Sequence, residues 1–223
     1  MESIGVWASP AAVFRNSFRI GLARAVITAI RLGVFESLIL RAATATEIAS
    51  RCRTDPAATQ KLLMALAGSG YLFFHEGRYA LTPTSRTWMA SGSPRSLVDA
   101  VLFAFEEWNL MGHIEDYVRI GTPVDIHERM TDEQWDLYQR CMRALAGPSA
   151  QEVAQDIPVP CGATDMIDVG GSHGHYSVAL CRRHPRLRSV VLDLPEAVRV
   201  AAPLLAAEKM GPRVVHLKAE AVP

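Results

Sequence analysis

Residues 166–217 constrain the fold more than any other part of this 223-residue chain. Three short apolar runs, at 166–169, 189–193 and 213–217, alternate with two stretches of helical pattern, at 176–183 and 195–209. Strands of almost continuous apolar character joined by helices describe a parallel sheet covered on both faces. Between the first strand and its helix lies the run Asp168-Val169-Gly170-Gly171-Ser172-His173-Gly174. Glycines there let the backbone approach a ligand closely and adopt dihedrals other residues resist. The helix that follows offers unpaired N–H groups and a partial positive charge.

Nineteen residues after Gly174 the second strand ends on Asp193. A carboxylate at that place can accept hydrogen bonds from both hydroxyls of a ribose. The pair of features therefore specifies a nucleoside-containing ligand. The dinucleotide fingerprint would need glycine at Gly170, Ser172 and His175, and two of these fail. Asp168, two residues before the first glycine, would repel a pyrophosphate but suits an ammonium group. That favours a sulfonium donor over a nicotinamide dinucleotide.

The preceding 160 residues follow a different grammar. Residues 11–40 read as helix, with Ile20, Ala23, Ile27 and Ile30 at helical spacing and Gly33 as the break. Thr44 and Glu47 fit a capping box, and Asp55-Pro56 starts a further helix that stops near Gly68 or Gly70. The runs 71–74 and 79–82, separated by Glu76-Gly77, read as a hairpin. Three helices and a hairpin describe a winged helix. Residues 96–154 are helical again, and 157–162 form a stiff, proline-containing connector. The expected domains are a winged helix over 11–90, a helical linker over 91–156, and the N-terminal part, three strands long, of a nucleotide-binding α/β domain over 157–223.

Lys+Arg and Asp+Glu each total 23, so no bulk field draws the chain to nucleic acid or an anionic membrane. A winged helix could be a DNA-binding regulator, yet Lys61 is the single basic residue of its would-be reading helix, and phosphate neutralisation needs several. The apolar face of the N-terminal helix suits a homodimer instead. The four cysteines are widely spaced, with no metal-ligand pattern. No apolar run approaches the length of a membrane helix, and the first ten residues lack a signal peptide's pattern, so cytoplasm is expected.

The loop at 168–174 together with Val191-Leu192-Asp193-Leu194-Pro195 resembles the S-adenosylmethionine-dependent O-methyltransferases of the caffeate and hydroxyindole type. The segment 21–88 resembles their dimerisation domain. The resemblance makes the winged helix over 11–90 a dimerisation domain and has the linker over 91–156 contribute to a substrate pocket. The resemblance implies an α-rich winged-helix N-terminal domain followed by an incomplete α/β Rossmann-like class I methyltransferase domain. It implies transfer of a methyl group from S-adenosylmethionine to a hydroxyl of a small aromatic or polyketide-like acceptor, in a homodimer and without a metal. By position, Gly170, Gly171 and Gly174 would form the donor loop, with the first two lining the methionine part. Asp168 would lie beside its amino group, Asp193 on the ribose and Leu194 against the adenine. Glu220 stands where the family has an adenine-contacting acid, but as Ala219-Glu220 rather than Gly-Asp. The family usually has glycine in place of Ser172, so the loop is bulkier here.

Trp108 and Met142 fall where the family's middle helices face the acceptor. His173 and His175 read as loop residues rather than bases, and His216 as structural. The family's catalytic histidine lies past the fourth strand, so no residue of this chain is expected to be the base. The expectation is a chain shortened after its third strand and inactive alone. A non-catalytic dimerisation or scaffold remnant is the alternative reading.

Overall fold

The computed structural model describes residues 10–122 and 127–219, which form two compact units divided between Pro94 and Arg95. In the first unit, α1 (Pro10–Arg31) is followed by Gly33 at φ 75° and a single 3-10 turn, Glu36–Leu38. Then come α2 (Ala45–Cys52), α3 (Pro56–Gly68), the hairpin β1 (Leu72–His75) and β2 (Arg78–Leu81), and α4 (Pro83–Trp88).

Local sequence explains these boundaries. Thr44 and Glu47 form both halves of a capping box at the start of α2, at 3.2 and 2.7 Å. Asp55 caps α3 through the Ala58 amide (2.8 Å), with Pro56 at the first helical position. Glu76 and Gly77 both take positive φ (48° and 76°), the geometry a two-residue hairpin turn requires. Ala43 and Tyr79 exchange backbone hydrogen bonds in both directions, an isolated antiparallel bridge that ties the segment before α2 to β2. The core beneath is Phe35, Leu38, Ile48, Leu63 and Leu66, all buried. The winged helix read from the sequence is present.

The second unit begins with α5 (Val98–Met111), α6 (Ile114–Ile120) and α7 (Asp132–Asp156). Gly121 at φ 73° ends α6, and Thr131 with Gln134 forms a second capping box that opens α7. The α/β layer follows in strict alternation: β3 (Asp165–Val169), α8 (His175–Arg183), β4 (Arg188–Asp193), α9 (Pro195–Ala207) and β5 (Val214–Lys218). The three strands are parallel in the order β3-β4-β5. Their core joins Met166, Val191 and Val214 from the sheet to Val178, Leu180 and Cys181 of α8 and Leu205 of α9.

One expectation needs correcting. The strands are not covered on both faces among the described residues. Two right-handed crossovers in a sheet whose strands follow in spatial order put α8 and α9 on the same side. The opposite face presents Ile167 (68% exposed), Val169 (77%) and Leu217 (54%). Among the described residues no helix is long and apolar enough to cross a membrane.

Candidate functional site

The site forms where β3 and β4 end side by side. Val169 pairs with Leu192, so Asp193 stands one residue beyond the last paired residue of β3. β3 then turns away at Gly170 (φ 69°), whose amide donates to the Leu192 carbonyl at 2.8 Å. Both sequence-selected acids thus flank one loop.

Gly171 is required by contact. A Cβ there would lie 2.5 Å from Cγ of Asp168 and 2.7–2.8 Å from its carboxylate oxygens. The Asp168 carboxylate is held under the loop by Ser177 of α8, whose hydroxyl donates to Oδ2 at 2.6 Å. That hydroxyl lies 2.8 Å from Oγ of Ser189 in β4, and both serines are buried. Gly170 differs from Gly171, because nothing lies within 4 Å of a Cβ built there. Its outer surface is open to a ligand.

Asp193 completes the frame. Its Oδ2 accepts from the Ser172 amide and its Oδ1 from the Leu194 amide, each at 2.7 Å. Ser172 is non-glycine at φ 51° and is held at two further points. Its hydroxyl donates to Oε1 of Gln139 on α7, and its carbonyl accepts from Nε2 of His216 on β5 at 2.9 Å. Gly174 (φ 71°) ends the loop as the cap of α8.

The histidines fit this reading as scaffold. His173 is 5% exposed, and its Nδ1 accepts from the His175 amide at 3.1 Å. Burial, with His175 and Arg143 beside it, pushes its pKa down to about 4, so the ring is neutral at pH 7. Behind it Glu208 pairs with Arg143 of α7 (2.6 Å) and Arg182 of α8 (3.0 Å), tying the loop's supports together.

The structure gathers Asp168, Gly170, Gly171, Gly174, Asp193 and Leu194 around one loop. Glu220 lies outside the described residues. Trp108 on α5 and Met142 on α7 are half-buried. Neither lines the apolar-floored pocket of about 230 Å³ beside α5 and α7, which is walled by Phe103, Glu106, Leu110, His113, Arg129 and Gln134. Phe103 packs on Tyr138 (5.3 Å between rings), and Tyr138 packs in turn on Trp135. Burial, and secondarily the charge of Asp193, raises the Tyr138 phenol. Among the described residues no cluster of His, Cys, Asp or Glu could hold a metal ion.

Sequence reasoning missed Gln139, Ser177 and Ser189 as parts of the site. Ser189 carried a readable signal, a hydroxyl within an otherwise apolar strand. Gln139 carried none, since a glutamine on a long helix is ordinarily a solvated residue.

Fold and loop define the class: a winged-helix unit followed by a Rossmann-like α/β unit with a nucleoside-type loop. Residues 18–91 match the family of the O-methyltransferase dimerisation domain. A human probable bifunctional dTTP/UTP pyrophosphatase/methyltransferase protein is 29% identical over 212 residues, covering 88% of this chain and 33% of that protein. The 3-hydroxy-5-methyl-1-naphthoate 3-O-methyltransferase of Streptomyces sahachiroi is 27% identical over 194 residues, covering 83% and 56%. A solved O-methyltransferase family protein from Burkholderia thailandensis superposes with TM-score 0.84 at 21% identity, over 96% of this chain and 65% of that one. Solved structures sharing the fold include complexes with S-adenosylmethionine and with its demethylated product, S-adenosylhomocysteine. In sequence and fold the chain is similar to O-methyltransferases, and the match to their dimerisation domain falls within its first unit. It spans from a third to just under 60% of the length of the first curated relatives.

Proposed function

We propose that the loop between β3 and α8 binds S-adenosylmethionine, and that the chain serves methyl transfer to a hydroxyl of a small aromatic or polyketide-like acceptor. The observation that carries this is the convergence of Asp168 and Asp193 on a loop whose Gly170 is open on its outer side. When bound, the donor supplies an electrophilic methyl on a positively charged sulfur. Asp168 offers a carboxylate near the ammonium end, and Asp193 offers acceptors for ribose hydroxyls. Gly170 and Gly171 let the backbone lie against the methionine part. Leu194, 37% exposed beside Asp193, offers an apolar surface for the adenine.

The acceptor belongs in the pocket walled by Phe103 and Leu110, with Phe103 packed on Tyr138 of α7. An apolar floor with Glu106 and Gln134 at its wall suits an aromatic ring bearing polar substituents. Trp108 and Met142 stay as proposed acceptor neighbours through α5 and α7. The first unit serves as a homodimerisation domain, and Ile20 on α1 (58% exposed) is apolar surface available to a partner copy. Titration calorimetry with S-adenosylhomocysteine tests the donor assignment, and light scattering tests the dimer. Absence of donor binding would favour the scaffold reading.

A further inference from the structure

Ser172 is the non-glycine residue of the loop that sits in the left-handed region, at φ 51°. That conformation is unfavourable for a residue that carries a side chain. Three elements hold it there. Asp193 at the end of β4 takes its amide, Gln139 of α7 takes its hydroxyl, and His216 of β5 supplies a donor to its carbonyl. The loop's shape therefore depends on contacts that glycine would not need.

Gln139 is the unexpected member. It is 1% exposed, among the most buried side chains of the molecule, on a helix whose other buried positions include Trp135, Cys141 and Ala146. Its Oε1 is occupied by Ser172, while its Nε2 is buried with no protein acceptor. Leaving such a group unpaired is unfavourable, so an aliphatic side chain would fill the space at lower cost. The amide's gain is its grip on Ser172.

We propose that Gln139 is a positioning residue of the donor site, acting through Ser172. The inference rests on the reading of this loop as the donor site. By holding the Ser172 hydroxyl, Gln139 keeps the residue in the left-handed region and its amide on Asp193 Oδ2. Without that grip Ser172 relaxes, the Asp193 carboxylate loses a restraint, and the ribose acceptor is no longer preset.

The test is a set of five variants of the 223-residue chain (Q139L, S172A, their double, S172G, and Q139L in the S172G background), read by calorimetric affinity for S-adenosylhomocysteine and by Tm. Gln139→Leu and Ser172→Ala should each weaken binding about tenfold, the size of one lost hydrogen bond. The double variant Q139L/S172A should be no weaker than either single. In a Ser172→Gly background, where the left-handed conformation carries no penalty, Gln139→Leu should change the affinity less than about threefold. The Tm of Q139L should not fall, because an aliphatic residue replaces a half-paired amide. Wild-type binding with Q139L and S172A unaffected would overturn the inference alone. Equal losses from Q139L in the serine and glycine backgrounds would also overturn it, since they mark general packing. A wild-type chain that does not bind would overturn the donor reading, and this inference with it.

Discussion

The Asp168 carboxylate fills the space that a side chain at Gly171 would need, with its Cγ 2.5 Å from where that Cβ would stand. Acid and glycine are thus a matched pair. Gly171→Ala should push either the carboxylate off Ser177 or the loop off β3. Strain of this kind costs about 1–3 kcal/mol. We expect a lower Tm and at least a tenfold loss of S-adenosylhomocysteine affinity by calorimetry; wild-type affinity would show that the loop is not where the ligand binds.

Asp193 holds the loop itself as well as offering the proposed ribose acceptor. Asp193→Ala removes the acceptor of two backbone amides, at Ser172 and Leu194, and the proposed ribose partner. Hydrogen bonds to a charged group contribute roughly 1.5–3 kcal/mol each. Donor affinity should fall by more than about thirtyfold. A change below threefold would remove Asp193 from the binding site.

The buried His173 predicts an acid-side loss of stability. Its folded pKa, about 4, lies below its ordinary value of 6.5, chiefly through burial. Above pH 6.5 both folded and unfolded chains hold it neutral, and it contributes no pH dependence. As pH falls through 6.5 the unfolded chain takes up a proton that the folded one refuses until about 4. Stability is therefore lost across that window, at no more than about 1.4 kcal/mol per pH unit for one proton. His175, also lowered mainly by burial, acts in the same direction. Unfolding midpoints at pH 7.5 and 5 should differ more in wild type than in His173→Asn; equal slopes would contradict the assignment.

How much was legible in advance follows the range of the interactions. Thr44 with Glu47 and Asp55 with Pro56 mark helix starts because their partners lie within three residues. The loop at 168–174 and Asp193 were readable because strand, turn and helix must follow one another closely to build such a site. Gln139 was not, since its partner is 33 residues away and the contact exists only once α7 packs against the α/β layer. The reading of a sheet covered on both faces failed for a related reason. Apolar runs record that Ile167, Val169 and Leu217 are side chains that favour burial, not what covers them, and among the described residues all three are exposed.

The α5–α7 pocket makes a separable prediction. Leu110→Trp should narrow this pocket of about 230 Å³ with a bulkier ring, without touching Asp168 or Asp193. With S-adenosylhomocysteine bound, affinity for 1-naphthol as a probe should drop at least about tenfold, while donor affinity stays within twofold. Loss of donor binding, or unchanged naphthol binding, would place the acceptor elsewhere.

The most direct test of the donor site is calorimetric titration of the 223-residue chain with S-adenosylhomocysteine. The account predicts saturable binding at one site per chain that is abolished or strongly weakened in Asp193→Ala. No heat of binding from a folded wild-type chain, or equal binding by the Asp193→Ala variant, would contradict it.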